Sequence, residues 1–226
     1  MSVEWYDMIA KRNGGYKSDA VFTIEGLSGE TVFEEQLKSM LPHFETVLDA
    51  GCGDGVFTLR MAKYAARIIG FDNSVELLKI ADSLKAQVQA ENMQFVYGTT
   101  RSELPFEDGQ FDLVFTRRGP TSILNHSRIL RSGGTIFGIH SAEKRKVLER
   151  IERNGFVDAE IEMFDDALIV FPDSREFAKY LSASHGNPDY TSTEHKEELD
   201  RLVSDHFQNG RLTLKEWRYI WKAKKP

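Results

Sequence analysis

Thr46-Val47-Leu48-Asp49-Ala50-Gly51-Cys52-Gly53-Asp54-Gly55-Val56 decides how the rest of the chain is read. A short apolar run closes on an acid, three glycines follow at alternate positions, and an apolar helical pattern begins at once. The run has strand length, and its glycines let backbone approach a ligand where a Cβ would clash. A strand feeding a glycine loop that opens a helix is the first unit of a parallel α/β sheet. The loop lies where such sheets bind ligands.

The same rhythm continues toward the C-terminus. Strands are predicted at Arg67–Asp72, Met93–Tyr97, Phe111–Thr116 and Thr135–His140. Between them lie a helix capped by Ser74, with Val75, Leu78, Ala81 and Leu84 on one side, a helical stretch Thr121–Leu130, and a turn at Ser132-Gly133-Gly134. Glu143–Asn154 is a helix ended by Gly155. Toward the N-terminus, Trp5, Tyr6, Met8 and Ile9 mark a short helix stopped at Asn13-Gly14-Gly15. Thr31-Val32-Phe33-Glu34 reads as a capping box opening a helix with Phe33, Leu37 and Leu41 on one face, ended by Pro42.

After residue 155 the alternation stops. Phe156–Phe171 is extended, with a break at Asp165-Asp166. Residues 172–209 are polar and hold two helical pieces, Ser174–Ala183 and Glu194–Phe207. Leu212–Ala223 reads as one extended segment with Trp217, Tyr219 and Trp221 on one face, a sheet-packing stripe. The expected organisation is a single domain over 1–226. Residues 1–44 form an N-terminal helical cap, 45–171 a ligand-binding core, 172–209 a helical insertion or lid, and 210–226 a final strand. The insertion, with the segment from Tyr6 to Tyr16, is expected to cover the ligand edge.

With 226 residues and a formal net charge of −6, the chain has room for one large core and no global attraction to nucleic acid or anionic membrane. One cysteine, Cys52, excludes an intrachain disulfide and a multi-cysteine metal site, and suits a reducing, cytoplasmic location. Met1–Asp7 is acidic and mixed, so no secretory leader is expected, and no apolar run approaches the ~20 residues that cross a bilayer. His126, His185, His195 and His206 show no ligand spacing, so no metal is expected.

The loop spacing is G-x-G-x-G, and the last glycine of the dinucleotide fingerprint would fall at Val56. A pyrophosphate needs bare amides at the helix start. The departure favours an adenosine-type ligand without diphosphate over a nicotinamide or flavin.

Four segments resemble the class I S-adenosylmethionine (SAM)-dependent methyltransferases of the small bacterial type. They are Val47–Thr58, Gly70-Phe71-Asp72-Asn73-Ser74, Leu104–Phe115 and Ile129–Ile136, in the family's order and spacing. The resemblance implies a Rossmann-like, doubly wound, seven-stranded, mostly parallel sheet whose last strand is antiparallel, flanked by helical cover segments. It implies that Asp49, Gly51, Cys52, Gly53 and Gly55 hold the methionine part of SAM, Gly51 through its carbonyl. Asp72 would take the ribose hydroxyls, or else act only as a capping acid ahead of Ser74. Asn73 would lie beside adenine. Where relatives carry an acid after Gly98, this chain has Thr99 and Thr100, either of whose hydroxyls, or the backbone, can meet the adenine amino group.

Thr116-Arg117-Arg118-Gly119-Pro120 follows the fourth strand, where donor meets acceptor. Thr116 is assigned to the cofactor. Arg117 and Arg118 either contact the acceptor, clamp the SAM carboxylate, or form a solvated pair. Strand alternation puts them on opposite faces. His140 is a candidate general base or a hydrogen-bonded edge histidine. The cytosine C5 nucleophile is excluded, because the lone cysteine sits in the glycine loop, and the Asn/Asp-Pro-Pro-aromatic motif of exocyclic amine methylation is absent. A small-molecule acceptor is the leading expectation. An RNA base methyltransferase and a non-catalytic SAM-binding sensor or partner are the alternatives, and the oligomeric state is left open.

Overall fold

Apolar strands and amphipathic helices alternate in the computed structural model of the protein, which describes residues 3–15, 18–184 and 186–226. Tyr16, at the far end of the expected N-terminal cover, and His185 lie outside the described residues. Helix α1 (Val3–Asn13) is followed by β1 (Thr23–Glu25), α2 (Gly29–Met40), β2 (Thr46–Ala50), α3 (Val56–Ala62), β3 (Arg67–Asp72), α4 (Val75–Val88) and β4 (Met93–Tyr97). Strand β5 (Phe111–Arg117) leads through a 3-10 segment, Thr121–Ile129, to β6 (Leu130–His140) and α5 (Lys144–Arg153). Then come β7 (Val157–Phe164), β8 (Leu168–Phe171), α6 (Ser174–Ser182), α7 (Lys196–His206), β9 (Phe207–Gln208), β10 (Arg211–Lys215) and β11 (Arg218–Lys224).

Seven strands form one sheet in the order β4-β3-β2-β5-β6-β11-β7. Its pairs are parallel except that β11 runs antiparallel to both β6 and β7. This is the expected doubly wound, Rossmann-like architecture. Strand order reverses between β2 and β5, so the loops that leave their carboxyl ends flank the crevice where such sheets take ligands. Period-two alternation fills both faces. Leu48, Ile69, Val114, Ile136, Tyr219 and Trp221 pack toward Val147 and Ile151 of α5, and Val47, Ile68, Leu113, Phe115 and Phe137 toward Phe33 and Leu37 of α2 and Met61 of α3. Each such fully buried side chain contributes about 1.5–3 kcal/mol.

The structure revises four local expectations. Helix α2 starts at Gly29 and is capped by Ser28, whose hydroxyl accepts from Glu30 N at 3.2 Å. Thr31 cannot close a capping box, because Glu34 is engaged by Arg60 at 2.8 Å and Lys38 at 3.1 Å. The turn at Ser132-Gly133-Gly134 lies inside β6, where the register with β5 jumps from Phe111↔Leu130 to Leu113↔Thr135. Lys225 secures it, accepting from Gly133 N and donating to Gly134 O, each at 2.9 Å.

Leu212–Ala223 is two strands in two sheets. The break falls at Glu216-Trp217, where the buried Glu216 carboxylate accepts from Gly29 N at 3.0 Å and pulls the chain out of the strand. Only Tyr219 and Trp221 of the aromatic stripe are fully buried, and Trp217 stays partly exposed. The fourth revision concerns the expected helical insertion, which packs on a second, antiparallel sheet of order β1-β8-β10-β9. Ile169, Phe171, Phe177 and Leu212 form its own small core. Among the described residues no helix is long and apolar enough to cross a membrane.

Gly138 lies where β6 passes under the Trp221 indole, and a Cβ there would stand under 3.0 Å from three indole atoms. Gly138→Ala is therefore expected to destabilise the protein by about 1–3 kcal/mol through overpacking. A lowered urea midpoint with unchanged slope would show it. A midpoint equal to the parent's would contradict this packing.

Candidate functional site

The glycine loop is bound to β3 rather than left to wander. Gly51 N and Cys52 N donate to Phe71 O at 2.8 and 3.1 Å, and Gly53 N donates to Asp72 Oδ2 at 2.9 Å. Asp72 Oδ1 accepts from Ser74 N at 2.9 Å, and the Ser74 hydroxyl caps α4 by accepting from Leu77 N. Asp72 thus does act as a turn acid ahead of Ser74, and the Asn73 amide also donates to its carboxylate. Burial raises the Asp72 carboxyl above its ordinary range, against the lowering by the Ser74 and Gly53 amides. Gly51 has φ +87°, and a Cβ on it would stand 2.6 Å from Pro120 Cδ, so only glycine fits between the loops after β2 and β5. Cys52 is buried, which pushes its thiol well up, so its backbone is what the site can use.

Asp49 closes β2 with its carboxylate 2% exposed, accepting from Thr58 Oγ1 at 2.7 Å. Burial drives its pKa up to about 7; Thr58 and the charge of Arg117 only partly offset that. Because the folded value lies above the ordinary 3.8, Asp49 supports the fold fully below about pH 4. That support is lost as pH rises through about 7. A cation placed beside it would reverse the penalty. Thr116 Oγ1, beneath the neighbouring loop, is buried with no hydrogen-bond partner among the described residues. A buried carboxylate without a paired cation, an orphaned hydroxyl and a loop contact only glycine allows fit a ligand with an ammonium and hydroxyls, as the methionine and ribose parts of SAM provide.

His140 sits at the end of β6 with both ring nitrogens taken. Trp221 Nε1, a donor only, points at Nδ1 at 3.0 Å, so Nε2 carries the proton and donates to Gly119 O at 3.0 Å. Burial lowers its pKa to about 4, so it is neutral at physiological pH. With no free lone pair, it acts as a brace that holds Gly119-Pro120 against Gly51 rather than as a general base.

Arg117 and Arg118 meet the same partner. Glu30, in the first turn of α2, takes Arg117 Nε at 2.8 Å on Oε2, and Arg118 Nε at 3.3 Å and Arg218 Nε at 3.2 Å on Oε1. The expected split across two faces fails because Arg118 has φ +59°, which ends the strand alternation, while its N–H is held by Ile139 O at 2.9 Å. Burial alone would raise the Glu30 carboxyl, but Arg118, Arg117 and Arg218 together hold it below its ordinary range. Arg117 also lies over the Phe57 ring, 4.6 Å from its centroid.

On the opposite flank, the Thr100 hydroxyl bonds Ser122 Oγ at 2.6 Å, and Thr99 Oγ1 accepts from Arg101 N at 3.3 Å. Both threonines and Asn73 are half-buried beside Asp72 in the loops after β4 and β3. Helix α1 lies along α4, with Asp7 bonded to the Ser74 hydroxyl, and Gly15 lies against Asp54 of the glycine loop. Sequence reading missed Thr58, Glu30 and Arg218. Thr58 carried a signal, three residues past Gly55 on the helix that faces Asp49. Glu30 carried none, since acids in a first helical turn are ordinary.

Residues 44–163 match the family model described as a methyltransferase domain. The chain is 38% identical over 71 residues to an uncharacterized methyltransferase, YcgJ, of Bacillus subtilis (strain 168), across 31% of this chain and 28% of that protein. It is 28% identical over 109 residues to demethylmenaquinone methyltransferase of Oceanobacillus iheyensis, across 44% of this chain and 45% of that protein. The chain spans less than half the length of these curated relatives. A functionally unknown protein from Deinococcus radiodurans R1 shares the fold, with a TM-score of 0.70 over 99% of this chain and 100% of that one at 23% identity.

Glu30→Gln would leave three guanidiniums without their shared carboxylate. The expected loss is about 2–3 kcal/mol, below the range for a fully buried pair because Arg118 stays half in water. Thermal unfolding checks it, and a melting temperature within a degree or so of the parent's would show that the arginines find other partners.

Proposed function

We propose that this chain, which belongs to the class I SAM-dependent methyltransferase family, binds SAM at the carboxyl ends of β2 and β3 and methylates a small molecule held beyond β5 and β6. The observation that carries this reading is Asp49, a buried carboxylate with a pKa near 7 beside a loop whose close approach at Gly51 only glycine allows. When bound, the cofactor supplies a methyl group activated by its sulfonium.

The residues do the rest. Asp49 and the Gly51 carbonyl receive the ammonium, with Cys52, Gly53 and Gly55 shaping the loop around the methionine part. Asp72, already clamping the loop through Gly53 N, offers its remaining lone pairs to the ribose hydroxyls. Asn73 flanks adenine, and Thr99 or Thr100 receives its amino group. Thr116, whose buried hydroxyl has no partner among the described residues, is the further cofactor contact on this side.

No free base is needed at His140. Alignment of donor and acceptor with exclusion of water can supply on the order of 7–11 kcal/mol of barrier lowering. A net charge of −6 and the likeness to a demethylmenaquinone methyltransferase favour a small-molecule acceptor over RNA. Helix α6 and the segment after α1 form the cover. Val21 N donates to Glu176 Oε2 at 2.7 Å, and Arg12 pairs with Asp189 at 3.8 Å, so the two parts can move as one. A single buried thiol suits a cytoplasmic enzyme.

Calorimetric titration of S-adenosylhomocysteine, the demethylated product, into the whole chain tests this reading. Saturable binding is expected, weakened roughly tenfold or more in Asp72→Ala, where charged hydrogen bonds to two hydroxyls vanish. No binding at millimolar ligand would refute the cofactor assignment, and an affinity in Asp72→Ala within twofold of the parent's would remove Asp72 from the site.

A further inference from the structure

We propose that the methyl acceptor carries an oxyanion, a carboxylate or phosphate, received by Arg118 within the cluster of Arg117, Arg118, Arg218, Glu30, Glu216 and Tyr180. The inference rests on the methyltransferase reading above, and it names the substrate class that reading leaves open.

Charge balance is the first argument. Three guanidiniums converge on Glu30, and the nearest second acid, Glu216, is already bonded to Gly29 N. Three cations against two carboxylates leave an unmatched positive charge in a half-buried place, which a bound anion would neutralise.

Exposure singles out which arginine is available. Side-chain exposure is 14% for Arg218, 28% for Arg117 and 45% for Arg118. Arg117 is pinned between Glu30 and the Phe57 ring, and Arg218 also donates from Nη1 to Trp217 O at 2.9 Å. Arg118 makes the longest of the three contacts to Glu30.

Backbone strain and position agree. A left-handed arginine costs about 1–2 kcal/mol, and such strain persists where function requires a side chain to be aimed. The left-handed turn at Arg118 brings its side chain round to Glu30, and the next residues, Gly119-Pro120, abut Gly51 of the cofactor loop. Tyr180 on α6 lies near enough for the charges of Arg218 and Arg118 to favour its ionised form, although burial raises its hydroxyl overall. An anion at Arg118 would therefore sit between the cofactor loop and the cover, where an acceptor must lie. A guanidinium fork matches carboxylate and phosphate geometry, and an ammonium does not.

The test is an NMR titration of the whole 15N-labelled chain with inorganic phosphate and separately with malonate, read at the Arg118 Nε–H resonance in the parent and, in the parent and both variants alike, at the Gly119 backbone N–H. S-adenosylhomocysteine is present at saturation, and ionic strength is held constant with sodium chloride. Saturable, one-site shifts with at least one of the two anions are expected, and the tighter binder identifies the phosphate or carboxylate source. Arg118→Gln should weaken that binding at least tenfold, and Arg118→Lys severalfold, while S-adenosylhomocysteine affinity stays within twofold. Arg118→Lys decides alone if Arg118→Gln does not fold. Shifts no larger than chloride gives, or equal anion binding by the variants, would overturn the proposal. So would a parallel loss of S-adenosylhomocysteine affinity, which would make Arg118 a clamp on the cofactor's carboxylate. If S-adenosylhomocysteine does not bind at all, the cofactor reading fails by itself, and the anion arms on the free protein still decide the arginine cluster.

Discussion

The buried Asp49 carboxylate is the constraint around which the ligand edge is arranged. It lies near the end of a central strand, 2% exposed, and Thr58 provides a single neutral donor. A carboxyl driven to about pH 7 by burial is costly to keep ionised in the free protein, at about 1.4 kcal/mol per pH unit below that value. The surrounding parts are consistent with a site built for a cationic ligand. The glycine loop is clamped by Asp72, and Gly119-Pro120 is pressed against Gly51 by a neutral His140 whose other nitrogen is fixed by Trp221. None of these contacts supplies Asp49 with a counter-ion. They fix the walls and leave the charge unanswered.

A second charge centre lies on the same edge with the opposite sign. Glu30 ties helix α2 to the ends of β5 and β11, and its arginines carry more charge than it can balance. Arg117 connects the two centres, paired with Glu30 while its field acts on Asp49. Buried negative charge at the glycine loop and surplus positive charge around Glu30 give this edge of the sheet a polarity. A zwitterionic donor and an anionic acceptor would each meet a complementary end.

Much of this was legible in the sequence where local pattern carries the information. The strands from Thr46 to His140 are short apolar runs between helices, and the main sheet follows from them with little freedom. The glycine loop, Asp49 and Asp72 were legible because a strand end and a tight turn restrict residue type. What escaped depends on contacts distant in sequence. Glu30 meets Arg117 and Arg218 across 87 and 188 positions, and nothing near Glu30 announces either. Leu212–Ala223 is uniformly extended in pattern, and only the bond from Gly29 N to Glu216 explains why it breaks into two strands. Ser28 took the cap expected of Thr31 because Glu34 was drawn to Arg60. His140 is chemically suited to base catalysis, and only the geometry of Trp221 and Gly119 shows its nitrogens occupied.

The most direct measurement is the carboxyl 13C titration of Asp49 in the free protein and in the protein saturated with S-adenosylhomocysteine, assigned with Asp49→Asn. The predicted result is a midpoint near 7 without ligand, moving down by at least one pH unit when the ligand ammonium settles beside the carboxylate. A midpoint that S-adenosylhomocysteine leaves unmoved would contradict the claim that this buried charge is completed by the cofactor.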